Sequence, residues 1–152
     1  MDWQKMHNVI VKMTSQKTIP LLNSYGLDGI RKLLGKASYR VYVNHALKGD
    51  EKLSIAYVHA NLPVSTEEIE LTEKLGHSSR DFDNIYETDD AIYFFVNSGG
   101  HCYCLFCVYK NEHAPAGDLA NIITTIMAAW SNQLSTLYFY QRDGLTGLLN
   151  RN

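Results

Sequence analysis

Apolar residues near the start of the chain recur every three or four positions, which is the spacing of one helical face. They form a single stripe of Trp3, Met6, Ile10 and Met13. This helix is expected to end before Ile19, because proline disfavours the helical conformation of the residue that precedes it and Pro20 follows. A short second helix is predicted from Asp28, a suitable N-cap, to Leu34, with Gly35 as its stop.

The middle of the chain has the two-residue period of β-strands. Strands over 39–47 and 53–59, joined by the polar turn 48–51, form one predicted hairpin. Strands over 91–97 and 101–109 form a second, and 85–86 is a short strand of its own. Strict alternation places Tyr39, Val41 and Val43 on one face and Arg40 and Tyr42 on the other.

A helix between the hairpins is predicted to begin at Ser65. Ser65 and Glu68 have the spacing of a capping box, in which Ser65 accepts from the Glu68 amide and the Glu68 side chain returns to Ser65. Gly76 is the expected end of this helix.

The last helix is predicted from about Asp118 to Gln141. It has two neighbouring apolar stripes, of which one is expected to cover the sheet and the other to meet a partner chain. The first stripe contains Leu119, Ile122, Ile126, Trp130, Gln133, Leu137 and Tyr140, and the second contains Ile123, Met127, Leu134 and Tyr138. No charged residue lies between Leu119 and Gln141, but the polar ones are too many for a membrane span.

The order helix, hairpin, helix, strands, long helix predicts an α+β domain. In this class an antiparallel sheet carries the N- and C-terminal helices on one face. Apolar content of 45% and charged content of 20% are ordinary for a soluble globular domain. A net charge of −2 provides no basic surface, so nucleic acid is not an expected partner.

The cysteines predict a reducing compartment. The chain has 3 cysteines, at 102, 104 and 107. An odd number of neighbouring strand thiols does not favour disulfides, and no secretory leader is evident at the N-terminus. We therefore expect a cytoplasmic protein. His101 and these thiols are of the type that binds zinc or haem, but strand alternation separates them. Apolar core thiols are favoured, a metal site and a redox-active thiolate stay open as alternatives, and the sequence requires no cofactor.

Four aromatic residues are candidates for binding a small molecule: Tyr42, Tyr93, Phe95 and Tyr103. Alternation places them on strand faces turned away from the terminal helices. The alternative is a second small core under the segment 62–90. The histidines and loop carboxylates show no catalytic spacing, so this chain is not expected to be an enzyme.

The residues Asp143, Leu145, Thr146, Gly147, Leu148, Asn150 and Arg151 make up the string D-x-L-T-G-L-x-N-R. This string resembles the opening of a bacterial GGDEF domain, the diguanylate cyclase module that makes cyclic di-GMP. The resemblance implies a sensor domain over 1–117, a signalling helix over 118–142 and the first GGDEF residues over 143–152. The Gly-Gly-Asp/Glu-Glu-Phe signature and its metal-binding carboxylates are absent, so these residues alone should make no cyclic di-GMP.

A second resemblance concerns the sensor. Ile30, Leu33–Gly35, the strand around Val41, the Gly-Asp turn and the strand 53–59 resemble the entry of a GAF domain. The closing hairpin and exit helix are similar to the end of one, and a PAS domain is the alternative fold. The motif of cyclic-nucleotide-binding GAF domains is absent, so the resemblance does not imply that ligand.

Together these features predict a regulatory domain that controls a diguanylate cyclase by homodimerisation through its exit helix. The residues expected at the dimer contact are Trp130, Leu134, Leu137 and Tyr138. The alternative is a GAF- or PAS-like dimerisation scaffold without a ligand.

Overall fold

The computed structural model describes residues 3–44, 53–60, 62–77, 85–98, 101–111 and 117–146. The helices are α1 (Trp3–Thr14), α2 (Ile19–Leu34), α3 (Thr66–His77) and α4 (Gly117–Thr146). The strands are β1 (Tyr39–Val43), β2 (Ser54–His59), β3 (Ile85–Glu87), β4 (Ala91–Ser98) and β5 (His101–Tyr109). They form one sheet in the order β2-β1-β5-β4-β3, with every neighbouring pair antiparallel. The predicted α+β class is confirmed.

The sheet is covered on both faces, by different helices. Helices α1, α2 and α4 pack on one another and α4 packs on β4, so the terminal helices share one face as predicted. Helix α3 packs on β5 from the opposite face. The larger core, on the side of the three helices, contains Trp130, Phe94 and Phe106. A smaller core under α3 contains Phe95, Leu105 and Leu71.

Helix α2 is longer than the sequence predicted. It begins at Ile19 rather than Asp28, and Pro20 lies in its first turn. The prediction treated this proline as a breaker, but a proline in the first turn loses no helical hydrogen bond and is already fixed at a helical φ. The predicted end is confirmed, since Gly35 has a φ of 57° and its amide donates to the Arg31 carbonyl.

Two bulges interrupt the predicted alternation of the strands. In β2, Val41 pairs with Tyr57 but Tyr42 pairs with Ile55, so one residue of β2 is unmatched. In β5, Val96 pairs with Cys104 but Asn97 pairs with Cys102, so Tyr103 is the unmatched residue. A bulge shifts the side-chain period by one position. On the far side of each bulge, side chains therefore lie on the face opposite to the predicted one.

Helix α3 has only half of the predicted capping box. The Glu68 amide donates to Ser65 Oγ at 3.1 Å, as expected. The Glu68 side chain does not return to Ser65, because it is turned into the sheet, where Arg40 binds it.

Helix α4 continues beyond the predicted end at Gln141, as far as Thr146. Both of its apolar stripes contribute to the same core: Ile122 and Ile126 from one, Ile123 and Met127 from the other. One stripe was expected to meet a partner chain, but α1 and α2 pack on α4 within this domain.

Trp130 connects α4 to α2 and to the sheet. Its indole N–H donates to Asn23 Oδ1 at 2.9 Å. The ring of Tyr103 lies edge-on to it, with centroids 6.3 Å apart. The Gly26 backbone is so close to the indole that a Cβ at Gly26 would lie 2.7 Å from Trp130 Cδ2.

Several predicted segments lie outside the described residues: the turn 48–51, the loop 78–84, Gly99–Gly100 and the end of the GGDEF-like string, 147–152. Within the described part of the chain, no helix has both the length and the apolar content needed to cross a bilayer.

Replacing Gly26 by alanine tests the contact between α2 and α4. The new methyl group would overlap a buried indole that Asn23 holds in place. Overpacking costs about 1–3 kcal/mol, against a gain in helix propensity of about 1 kcal/mol. We expect a net loss of about 1 kcal/mol in the free energy of unfolding, measured with urea.

Gly117→Ala is the matched control, because a Cβ there has nothing within 4 Å. We expect no loss of stability. Equal effects of the two substitutions would contradict the close packing at Trp130.

Candidate functional site

The structure separates the four aromatic residues predicted to bind a ligand. Tyr42, Tyr93 and Phe95 lie together in the core under α3. Tyr103 lies in the core on the opposite face. The error arises from the bulge in β5, which turns Tyr103 toward the helices and Cys102 toward α3. The burial of Tyr42, Tyr93 and Phe95 favours the alternative of a second small core under the segment 62–90.

A polar cluster at the edge of that second core joins α3 to the sheet. It consists of Arg40, Tyr42, Glu68 and Tyr109, and we call it the Arg40–Glu68 cluster. Arg40 Nη1 donates to Glu68 Oε2 at 2.8 Å and to the Tyr109 hydroxyl at 2.6 Å. The Tyr109 hydroxyl donates to Glu68 Oε1 at 2.6 Å, and the Tyr42 hydroxyl donates to Oε2. Arg40 Nη2 completes the cluster by donating to the Leu62 carbonyl.

The electrostatics of this cluster keep Arg40 charged and its tyrosines protonated. Arg40 is 4% exposed and Glu68 is 1% exposed. Burial lowers the pKa of Arg40, but the hydrogen bond to Glu68 and the nearby tyrosines outweigh this and raise it overall. Burial, and then the hydrogen bond to Glu68, raise the pKa of Tyr42 and of Tyr109.

Both Glu68 oxygens are already occupied by donors of the same chain. With only 1% of Glu68 exposed the carboxylate is closed to a ligand, and its buried partner cannot leave without a large cost. The cluster is therefore suited to fixing α3 against β1 and β5 rather than to binding or proton transfer.

The cysteines are divided between the two cores. Cys104 belongs to the helix-side core, and Cys102 and Cys107 belong to the core under α3. Burial raises the pKa of the Cys102 thiol to about 12, and it also raises those of Cys104 and Cys107. A thiol with a raised pKa is a poor nucleophile at neutral pH. Among the described residues no group of three or more histidine, cysteine or acidic side chains is placed to hold a metal ion.

The residues predicted for the dimer contact are also divided. Trp130 and Leu134 are fully buried in the chain's own core, which removes them from any contact with a second chain. The cause is the same helix layer, since α1 and α2 cover the stripe that was expected to be free. Leu137 and Tyr138, further along α4, are only partly buried.

An open groove runs between α2 and the edge of the sheet, and we call it the α2 groove. It has two connected parts, with volumes of about 370 and 220 Å³, which share Ser24, Leu27 and Tyr57. Ile19, Pro20, Asn23 and Tyr103 line the first part, and Tyr25, Asp28 and Arg31 line the second. Tyr103 is thus the one predicted ligand residue that lines a groove on this side.

Two side chains give the α2 groove polar character. The Arg31 guanidinium lies 4.2 Å from the centroid of the Tyr57 ring, and its Nε donates to the Tyr39 hydroxyl at 3.3 Å. Asn23 is 7% exposed and accepts from the Trp130 indole. A further groove of about 490 Å³ lies between α1 and α2, where Lys5, Lys12 and Lys32 surround it.

The sequence analysis did not identify Arg40, Glu68, Asn23, Arg31 or Tyr57 as site residues. Arg40 carried a usable signal, since a charge on an otherwise apolar strand face needs a buried partner. Glu68 was not recognised as the partner of Arg40, because it occupies the glutamate position of a capping box. Asn23 lies in the part of α2 that the predicted helix, which began at Asp28, did not include.

Comparison with known protein families gives no match, and no curated protein matches the sequence. The fold does recur among solved structures. A crystal structure of a methyl-accepting chemotaxis protein, residues 122 to 287, superimposes with a TM-score of 0.58 at 11% sequence identity. The superposition covers 90% of this chain and 99% of that one. At this identity the similarity establishes the fold alone.

Glu68→Gln tests the Arg40–Glu68 cluster. Glutamine keeps the size of the side chain but leaves the buried Arg40 charge without a counterion, which costs about 3–5 kcal/mol. We expect the free energy of unfolding in urea to fall by that amount. Glu67→Gln is the control, since Glu67 lies in the same helical turn but is exposed, and should change stability by less than about 0.5 kcal/mol. Similar small losses from both would show that the cluster does not hold α3.

Proposed function

We propose that this chain is the regulatory sensor domain of a signalling protein and that α4 passes its state to a diguanylate cyclase. The observation that carries the proposal is the course of α4. Between Ile122 and Leu134 it is built into the domain core, and it continues as one helix to Thr146, into the string that resembles the start of a GGDEF domain. The shared fold with a chemotaxis protein supports a signalling role of a general kind.

A continuous helix is suited to this task because its backbone hydrogen bonds resist bending and twisting. Its 30 residues span about 45 Å at 1.5 Å per residue. A small change in how Trp130 packs would therefore tilt or rotate the distal end without unfolding it. Cyclases of the GGDEF type act as pairs, as the resemblance implies, so the orientation of two such helices sets whether two active sites meet.

We further propose that two copies pair along the side of α4 that its own core leaves uncovered. Thr125, Asn132 and Ser135 are exposed and Ala128 is partly exposed, and their spacing of three and four residues is that of a coiled-coil seam. The seam carries no charge, so two copies of it can approach without repulsion. Tyr138, retained from the sequence prediction, lies three residues beyond Ser135 at the distal end of the seam, whereas Leu137 packs against the chain's own core.

Asn132→Glu tests this pairing. Two-fold symmetry would bring the new carboxylates together at the seam, and like charges placed opposite each other cost several kcal/mol. We expect light scattering to show a dimer for the unaltered chain and a monomer for the variant at the same concentration.

Thr66→Glu is the control, because it adds the same charge to an exposed position of α3, on the other face of the sheet. It should remain dimeric. A chain that is monomeric before any substitution contradicts the proposed dimer.

The transmission through α4 is tested by changing its phase. Residues 1–152 are joined to a GGDEF catalytic domain, and residues are inserted after Gln141. At 100° per residue, two inserted residues rotate the output by about 200°, whereas seven rotate it by only about 20°. We expect the rate of cyclic di-GMP synthesis to change at least about tenfold with two residues and less than about twofold with seven. Rates that ignore the phase would contradict a rigid connection.

The alternative of a dimerisation scaffold without a ligand has one observation in its favour. Three of the four predicted ligand residues are buried in a core closed by the Arg40–Glu68 cluster. A cyclase fusion whose rate depends on dimerisation but on no small molecule would favour this alternative. In either case the chain itself is proposed to have no enzymatic activity.

A further inference from the structure

We propose that the α2 groove binds a small aromatic or heteroaromatic carboxylate, and that the bound molecule acts on α4 through Asn23 and Trp130. The inference deepens the proposed function and rests on it only for the consequence in α4. The binding site itself lies on the face of the sheet opposite to the one that the sequence predicted.

The shape and apolar surface of the groove suit a planar ring. Its two parts, of about 370 and 220 Å³, together lie within the usual range for small-molecule sites, roughly 300–1,000 Å³. Tyr57 lines both parts and remains 39% exposed although Arg31 lies over one face of its ring, so part of the ring is open to a ligand. Leu27 and Tyr103 supply further apolar surface. Offset stacking on tyrosine favours an aromatic ligand over an aliphatic one.

The charge of the groove favours an anion. Arg31 is oriented by Tyr39 and Tyr57, and within the described part of the chain only its Nε is hydrogen-bonded, which leaves both Nη groups as donors. The Asp28 carboxylate lines the same part of the groove and interacts with Arg31, but it is also paired with Lys32 Nζ at 3.0 Å, and two cations against one anion leave a net positive charge. A guanidinium with two parallel donors matches a carboxylate in geometry.

Asn23 supplies a donor at the other end. Because its Oδ1 accepts from the Trp130 indole, its Nδ2 is the group left to donate into the groove that Asn23 lines. Asn23 and Arg31 are eight residues apart on α2, about 12 Å along the axis. A ligand that spans part of this distance has its acid at Arg31, its ring at Tyr57 and an acceptor near Asn23.

The same residues connect the groove to the output helix. Asn23 holds the indole of Trp130, and Tyr103 lies edge-on to it. A ligand seated against these two side chains therefore contacts both groups that orient the largest buried side chain of α4. No other part of the domain has to move for α4 to respond.

The test is an NMR titration of the ¹⁵N-labelled chain, which has 2 tryptophans and so two indole N–H signals, assigned with Trp3→Phe. The probes are indole-3-carboxylate, 4-hydroxybenzoate and nicotinate. We expect the Trp130 signal to move saturably with at least one, with a dissociation constant below about 1 mM. Indole-3-carboxamide, which lacks the charge, should bind at least about tenfold more weakly than indole-3-carboxylate.

Arg31→Gln should weaken binding of the carboxylate at least about tenfold, with the remaining spectrum showing that the variant is folded. Lys12→Gln is the matched control, since it removes an exposed cation of α1 that lines the other groove, and should change binding less than about twofold.

The proposal is overturned if no probe at about 5 mM moves the Trp130 signal, or if Lys12→Gln weakens binding as much as Arg31→Gln. The experiments distinguish failure of ligand binding in the α2 groove from failure of the proposed function. Binding with a Trp130 shift but an unchanged cyclase fusion would contradict the proposed function alone. A fusion that obeys the helix phase without any binding in the groove would contradict this inference alone.

Discussion

The packing of Trp130 against α2 is the contact on which the other features of this domain depend. The indole is fully buried, its N–H is bound by Asn23, and Gly26 is required to let α2 come close enough. Because the contact joins the first helical layer to the last helix, it makes α4 part of the core and not an appendage. A domain built in this way cannot change its helix layer without moving the segment that leads to the output.

The two faces of the sheet do different work. Under α3, the Arg40–Glu68 cluster satisfies every charge with partners from the same chain, and breaking such a buried pair is costly. This face is a rigid support. On the helix side, the α2 groove holds an arginine whose terminal donors are available and an asparagine that contacts the core of α4. Because the face under α3 is held rigidly, we expect a change on the helix side to displace α4 rather than the sheet.

Much of the fold followed from local sequence signals, because those signals are themselves local. The helix start at Ser65, the stop at Gly35 and both hairpins depend on residues a few positions apart. The errors depend on tertiary contacts. A β-bulge at Tyr103 cannot be recognised in a strand whose residues are apolar on both faces. Pro20 is compatible with the first turn of a helix but not with its interior, so its effect depends on whether the preceding residues are helical. Trp130 looked free because an apolar stripe does not show which helix covers it.

The functional residues were harder to predict for a related reason. Arg31 and Tyr57 are ordinary surface types, and only the stacking of one on the other distinguishes them. Glu68 was not predicted as a site residue because its spacing from Ser65 also fits a capping box, and it was assigned that role. The GGDEF-like string differs from these residues, because it is specific enough to recognise in the sequence. Its end, however, lies outside the described residues.

Hydrogen exchange of the Trp130 indole N–H, compared with the slowest backbone amides, tests most directly whether α4 belongs to the core. The account predicts that the indole exchanges only when the whole domain unfolds, with the same free energy as those amides. An indole that exchanges through a local opening, at a free energy lower by more than about 2 kcal/mol, would show that α4 separates from α2 on its own. That result would contradict the central role given to this contact.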